Sequence, residues 1–502
     1  MVGQKSYKPT KTILEVAMKN GLLLSGLLLF ALVVLPVRIS FAEPVANIAN
    51  KINPFEKLEL AGYFSNESSL KLAGGLEEFM KIKNIADLKA NYVFSEDVQF
   101  YTEIKGWYDH TYDVEGRYNE LTNNEKNRNL TMPVKTEWLR ECYLDIFTPR
   151  LDLRLGKQQV VWGTADGVRI LDLVNPLDYR EWTIKDYSEI RIPLWMLKAE
   201  GELIANGHLQ VLAIPDYQPN YYAPAESPFA LRTVVIGARS SSAYVTSRTV
   251  DNMPERTFEN TKIGLRWRNV IEEGLLSGLD YTLNYLHTYD FGASYYVYPV
   301  SVPPFVPFFR RNAEQIEVLG FSFAKSITKG IAGTSIGKGW TIRGEFAYLS
   351  NGAMNYGVDQ SIVGTVDTDQ YNWVLGFDKT FWTTWDFSMQ FIQMIANAKE
   401  EFSRTTANYT LLFGPTRGPL DKTENMITCL IGTSFAHDRV QPQVLVLYGD
   451  DNDWRISPKV KFEINDNWMI TTGLHFFEGQ EQHLSGQFDK NDQFFLETKY
   501  SW

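Results

Sequence analysis

Gln493-Phe494-Phe495-Leu496-Glu497-Thr498-Lys499-Tyr500-Ser501-Trp502 alternates with period two. Phe494, Leu496, Thr498, Tyr500 and Trp502 fall on one face; Phe495, Glu497, Lys499 and Ser501 fall on the other. Successive side chains of a strand point to opposite faces of its sheet, so this stretch predicts a strand with one apolar and one polar face. An unpaired terminal strand invites edge-to-edge association. A strand that closes a barrel has no free edge.

The opposite end of the chain agrees. Lys5, Lys8, Lys11 and Lys19 precede an apolar run, Gly21 to Val37 (GLLLSGLLLFALVVLPV), and then Ser40-Phe41-Ala42. A basic leader, an apolar core and a small-x-small site have the layout of a secretory signal, so residues 1–42 are expected to be a signal peptide cut before Glu43. The rival is a transmembrane anchor. The run sits at the lower limit of the roughly 17–25 residues a spanning helix needs, and Pro36 and the small-x-small site favour cleavage. Downstream apolar runs are short and interrupted by charge, so the exported remainder is expected to be either soluble or a β-barrel.

The 502-residue length has room for two or three soluble domains. No Pro/Gly/Ser linker or charge block divides residues 43–502, so one unit is expected. Aromatic residues make up 14% of the chain, as two interfacial girdles would require. The formal charge is −11, and loss of a leader with five bases and one acid leaves it near −15, which argues against nucleic acid as a partner. The two cysteines, Cys142 and Cys429, lie in alternating stretches (Trp138/Arg140/Cys142/Leu144/Ile146 and Ile427/Cys429/Ile431). They read as small lipid-facing residues, far apart round the sheet and unbridged.

Period-two segments bounded by turn residues occur near 56–64, 86–95, 97–108, 137–147, 150–162, 193–203, 207–215, 259–270, 277–290, 314–326, 338–350, 368–379, 384–396, 424–435, 440–449, 455–465, 467–478 and 492–502. This is a count of about eighteen, with sixteen the alternative because 56–64 and 440–455 are weakly patterned. Tight turns at Ser95-Glu96-Asp97, Thr148-Pro149-Arg150, Asn206-Gly207, Phe435 to Arg439 and Asn465-Asp466-Asn467 alternate with long connections near 65–85, 109–136, 163–192, 216–258, 291–313, 351–367 and 397–423. Short turns on one rim and long loops on the other are the habit of membrane barrels. The fold class predicted is all-β: a transmembrane up-and-down antiparallel β-barrel. Only helices and closed barrels satisfy the backbone in lipid.

A barrel of this size encloses an aqueous channel. Its predicted lining mixes bases (Lys89, Lys105, Arg154, Lys198, Lys459, Lys461, Lys499 among them) with acids (Asp87, Glu103, Asp152, Glu200, Glu202, Glu345, Glu463, Glu497). The plain expectation is a self-compensating wall. The sharper one is a basic track of Lys262, Arg266, Arg268 and Arg343 that favours anions.

Residues 163–192 (GTADGVRILDLVNPLDYREWTIKDYSEIRI) are the most distinctive connection. Val168, Ile170, Leu171, Leu173, Val174 and Leu177 predict a packed, partly helical segment, and Asp166-Gly167 and Asn175-Pro176 are turn signals. An exposed loop has no need of that apolar content. The segment is expected to fold into the barrel and narrow it, with Asp166, Arg169, Asp172, Asp178, Arg180 and Arg191 as constriction residues and Glu181 beside them; an external cap is the alternative.

Leu155-Gly156-Lys157-Gln158, then Val161-Trp162-Gly163, Asp166-Gly167, Asp172 to Asn175-Pro176 and Asp178 resemble a bacterial outer-membrane family, a porin-like domain of unknown function related in architecture to alginate-export barrels. The chain's last strand, ending on Trp502, likewise resembles the closing strand of such barrels, where the terminal aromatic belongs to the assembly signal. The resemblance implies a monomeric barrel of passive-channel type, placed in outer-membrane lipid by the barrel-assembly machinery. It carries no solute; alginate is not taken over, because a dense Arg/Lys lining is missing.

Other functions fit less well. An enzyme needs a nucleophile or acid pair beside an oriented base, and His110, His208, His287, His437, His475 and His483 are scattered outside any such motif, with His475 facing the lumen. Residues 43–55 leave no room for the plug of an energised receptor. An adhesin or scaffold is the remaining rival, through loop residues such as Tyr221-Tyr222 and Pro303-Pro304-Phe305. Gly449-Asp450-Asp451-Asn452-Asp453 lacks the spacing of a calcium loop and reads as a solvated turn. No cofactor or metal pattern is present. The expected function is passive diffusion of small hydrophilic solutes, anions favoured.

Overall fold

A computed structural model describes residues 57–502 apart from 73–77, 117–131, 134–136, 205, 224–226, 231–248, 275, 293, 299–307, 329–336, 359–360, 399–409, 413–422 and 481–482. The expected signal segment 1–42 and the Pro303-Pro304-Phe305 run lie outside the described residues.

Eighteen strands close into one barrel, and a short strand, Thr410–Leu412, joins the same sheet beside Asn355–Gly357. The first six are β1 (Leu58–Lys71), β2 (Phe79–Ser95), β3 (Val98–Asp109), β4 (Leu139–Phe147), β5 (Asp152–Gln158) and β6 (Leu194–Ile204). Then come β7 (Gly207–Ile214), β8 (Lys262–Ile271), β9 (Leu279–Tyr289), β10 (Gln315–Ser326), β11 (Thr341–Val358) and β12 (Ser361–Phe381). The last are β13 (Trp385–Ala398), β14 (Thr423–Gly432), β15 (Val440–Gly449), β16 (Asp453–Glu463), β17 (Trp468–Glu478) and β18 (Gln493–Ser501). Each pairs antiparallel with its neighbour in sequence, and β1 pairs antiparallel with β18, from Tyr63↔Ser501 to Lys71↔Gln493. That last pairing closes the barrel and leaves no edge.

Alternation sets the two surfaces. Leu88, Ile104, Leu155, Leu197, Leu283, Leu319 and Leu496 are exposed on the outer face, whereas Asp87, Glu103, Glu345, Gln390 and Gln493 are buried on the inner one. Inside, cross-strand partners compensate each other: Arg154 grips Asp145 through Nε at 2.6 Å and Nη2 at 2.9 Å, directly opposite in the β4–β5 register. At the rim of short turns, aromatic rings gather as an interfacial belt would: Trp340 with Phe381 (centroids 5.9 Å apart), Trp382 with Trp385 (6.5 Å) and Trp468 with Tyr500 (5.1 Å). Both barrel ends, the start of β1 and the end of β18, lie at this rim.

Three details depart from expectation. The stretch 65–85 is mostly sheet: β1 and β2 stay paired from Leu58↔Tyr92 to Leu70↔Phe79. Ser65 to Ser69 is polar on both faces, so the period-two signal fades although the ladder continues. The connection expected at 351–367 is a hairpin extending β11 and β12, because Met354, Val366 and Ala396 bury one another above the lipid band. Arg140 does not share a face with Cys142. A bulge between Glu103 and Ile104 of the β3–β4 ladder turns it inward, as bulges re-aim side chains, and it reaches Ser188 O at 2.7 Å. Cys142 and Cys429 are free thiols.

The inner face is not uniformly polar. Met196, Leu212, Ile214, Leu286, Val318, Ala347, Val374, Ile392 and Met426 project inward from β6 round to β14 and form one apolar core with Val160, Trp162, Ile170, Leu171 and Val174. The barrel therefore has a hydrophobic core on its inside, and residues 163–192 fill it.

Candidate functional site

The inner segment is rooted by the residues singled out between Leu155 and Asp178. Gly156 has φ of 142°, and a Cβ there would lie 2.2 Å from Cys142 O, so only glycine fits beside β4. Gln158, fully buried, donates from Nε2 to Met196 O at 3.2 Å. Asn175 ties the two ends together: its Oδ1 accepts from Val160 N at 2.8 Å, and its Nδ2 donates to Ile192 O at 2.9 Å and Gln158 O at 3.3 Å. The indole of Trp162 donates to Gln210 Oε1 at 2.7 Å.

From this root the segment crosses the barrel. On the far arc, Glu345 of β11 accepts from Thr164 N and Oγ1, Ala165 N (2.9 Å) and Leu171 N (3.2 Å). Asp166 N donates to Gln390 Oε1 of β13 at 3.0 Å. Leu171 fits against Gly320 of β10, where a Cβ would stand 2.2 Å from Leu171 Cδ2. On the near arc, Glu181 accepts from Lys81 at 2.7 Å and Lys83 at 2.6 Å of β2, and Lys185 meets Glu67 of β1. Arg455 of β16 donates to Thr183 O at 2.8 Å and Oγ1 at 2.9 Å. Trp182 packs on Phe488, with Met80 and Phe477 in the same cluster. Residues 163–192 thus touch inward-facing side chains on opposite arcs of the wall and lie within the barrel.

Burial alone would push the Glu181 carboxyl up; Lys81, Lys83 and Lys185 around it hold it well below the usual carboxylate range. Burial would lower Lys185, but Glu67, Glu181 and Glu189 raise it well above the usual lysine value. Glu137 differs: burial raises its carboxyl despite Arg180 at 3.1 Å.

The expected constriction residues separate into three groups. Asp178, Arg180 and Arg191 line a cavity of about 140 Å³ between the inner segment and β2–β5. Asp178 and Glu137 both hold Arg180, at 2.5 and 3.1 Å. Arg191 pairs with Asp172 at 2.6 Å at the segment's root, where Arg169 donates to the carbonyls of Asp172 and Asn175. Asp166 lies on the opposite side, paired with Arg343.

The four residues of the expected basic track are not joined into one surface. Arg343 also holds Asp378 at 2.7 Å, Arg268 holds Asp280 at 2.5 Å, and Arg266 donates to Val161 O at 3.0 Å. Lys262 is buried with its Nζ 4.9 Å from the centre of the Phe291 ring and 5.6 Å from that of Tyr217.

Lys83, Lys105, Arg140 and Lys157 of the wall strands line the cavity instead. Only Lys105 and Lys157 could be flagged from the sequence, by alternation and by the root motif. Lys83 was hidden in the polar stretch of β2, and Arg140 by its bulge. His475 faces inward as expected, with Nδ1 2.9 Å from Ser457 Oγ and its ring stacked on Phe495. Asp453 accepts from Ser485 N and Gly486 N, and so ties the Gly449–Asp453 turn to the β17–β18 connection.

A family model described as Protein of unknown function (DUF1302) matches residues 80–502. No curated protein matches the chain. Among solved structures, it is similar to Pseudomonas aeruginosa OccK8 (OprE), at 12% identity and TM-score 0.48, covering 89% of this chain and 98% of that one. Acinetobacter baumannii OccAB2 gives 10% identity and TM-score 0.47, with 89% and 98% covered. Salmonella typhi OmpF, solved in complex with daunomycin, gives 8% and 0.41, with 89% and 97% covered.

Proposed function

The chain belongs to the DUF1302 family, and from that premise we propose that it is a bacterial outer-membrane channel through which small hydrophilic solutes diffuse passively, anions ahead of cations. The observation that carries this reading is a closed eighteen-strand barrel, apolar outside, whose interior is crossed by a segment that leaves a charged cavity along β2–β5. Lipid takes the outer face, and the strand ending at Trp502 is the handle for the assembly machinery. Asp178, Arg180 and Arg191 form the constriction proper, while Asp166, Arg169 and Asp172 hold its shape. Anion preference is read from the wall side of the cavity, where Lys83, Lys105, Arg140 and Lys157 outnumber Asp109 and Glu137. Charged rings and patches of one sign set selectivity by lowering the barrier for the opposite ion. Arg268 is neutralised by Asp280 and Arg343 by Asp166 and Asp378, which leaves Arg266, bonded to a carbonyl, to add positive potential at a distance.

The test is single-channel conductance of the refolded protein in a planar bilayer, with the reversal potential measured under a salt gradient. Stable ohmic steps with an anion-selective reversal potential are expected. A protein that inserts and stays silent defeats the channel reading; a cation-selective potential defeats the anion preference.

A further inference from the structure

We propose that the cavity between β2–β5 and the inner segment is a binding site for a small organic monoanion with an apolar body, namely a carboxylate about the size of a single six-membered ring. The inference deepens the channel reading and rests on it.

The lining groups of the cavity differ in whether they already have partners. Most carboxylates facing the cavity are supplied with donors; Glu137 keeps one oxygen, Oε1, without a donor among the described residues. Glu181 has Lys81 and Lys83, Glu189 has Lys185 at 3.5 Å, and Asp178 and Glu137 share Arg180. Asp109 accepts from Ile82 N at 3.2 Å and Thr111 N at 3.0 Å. The cations are less well matched. Lys105 has no carboxylate partner among the described residues; its Nζ lies 6.0 Å from the centre of the Tyr63 ring. Arg140 reaches Glu103 at a long 3.3 Å. A half-buried ammonium without a counter-charge is costly, and a visiting carboxylate supplies that counter-charge. A visiting cation would find Glu137 Oε1 open, but with the Arg180 guanidinium beside it.

The remaining wall is apolar: Ile85, Trp107, Pro133 and Ile190 contribute to it. A cavity of about 150 Å³ accepts benzene, and this one measures about 140 Å³. The cations lie against the apolar surface, with Lys83 and Arg180 over the Trp107 ring at 4.2 and 5.4 Å, and the two together select an amphipathic monoanion over chloride, which gains nothing from the apolar wall. They also select against a dianion, which would leave one charge unpaired.

Benzoate is the probe, with benzamide as its uncharged counterpart, added to the full-length barrel conducting potassium chloride in a planar bilayer. Benzoate is expected to interrupt the current in resolved events at concentrations at which benzamide gives none. Lys105→Met should need at least ten-fold more benzoate for the same event frequency, and Lys105→Arg should restore it. An open channel that benzoate leaves uninterrupted, equal effects of benzoate and benzamide, or an undiminished response in Lys105→Met would overturn the site. A silent barrel would instead defeat the channel reading. The site is then decided by quenching of tryptophan fluorescence, with Trp107→Phe subtracted, as benzoate is titrated into the detergent-solubilised protein; no saturable change overturns it.

Discussion

Glu345 anchors the far end of the inner segment, because one carboxylate accepts from the backbone N–H groups of Thr164, Ala165 and Leu171. Glu345→Ala leaves three donors facing an apolar core, at about 1–3 kcal/mol for each one left unsatisfied. The expected outcome is protease cleavage within residues 163–172 and noisier single-channel current; wild-type protease resistance would reject the anchoring role. On the near arc the sign of the pH effect follows from the shifts. Glu181 is depressed in the folded barrel, so its contribution is complete above the ordinary carboxylate value of 4.5 and fades only as pH falls through its lower folded value. Lys185 is raised, so its contribution is complete below 10.5 and fades as pH climbs through its higher folded value. The segment should therefore stay clasped, and conductance steady, between those limits. Glu137, pushed up by burial, takes its proton ahead of an ordinary carboxyl as the solution is acidified. Reversal potentials measured from pH 7 downward should move further toward anion selectivity before conductance changes; a shift toward cations would contradict this assignment.

Among the elements, the inner segment is the one proposed to limit the current the barrel passes. Replacing residues 164–191 with a short Gly-Ser linker should raise single-channel conductance several-fold; an unchanged value would show that the segment does not set the limit. Its packing was legible in the sequence, since Val168, Ile170, Leu171, Val174 and Leu177 had no place in a water-exposed loop. Its attachments were not, because Lys81 and Glu181 lie 100 positions apart and Arg455 and Thr183 lie 272 apart, and no local pattern joins them. The strands read well wherever lipid faces one side and water the other, as in β5, β13 and β18. They read poorly where both sides are wet, as at Ser65 to Ser69, and where the hairpin of β11 and β12 leaves the apolar band. The turning-in of Arg140 depends on a ladder irregularity, which composition does not encode. For the residues of the expected basic track, alternation tells which face a residue is on but not what it pairs with, so the pairing of Arg268 with Asp280 and of Arg343 with Asp378 was not legible.

For the molecule as a whole, closure rests on the seam between β1 and β18, where Gly62 and Trp502 exchange backbone hydrogen bonds of 3.3 and 3.1 Å. A Cβ at Gly62 would stand 2.5 Å from both Asp87 O and the Trp502 ring. Gly62→Val is expected to reduce the fraction migrating as compact barrel on an unheated detergent gel; an unaltered fraction would show that the seam tolerates the intrusion. The seam also bears on the history of the fold. Every other barrel pairing joins neighbours in sequence, and this one joins residues 63 and 501. Residues 163–192 belong between the fifth and sixth of the eighteen strands and end up touching strands on both sides of the ring. If the segment folds before the ring shuts, β11, β13 and β16 are wrapped onto a template the chain carries in its own middle. Strength of grip on that template would then govern how fast the cylinder is completed, before it has any bearing on what flows through it.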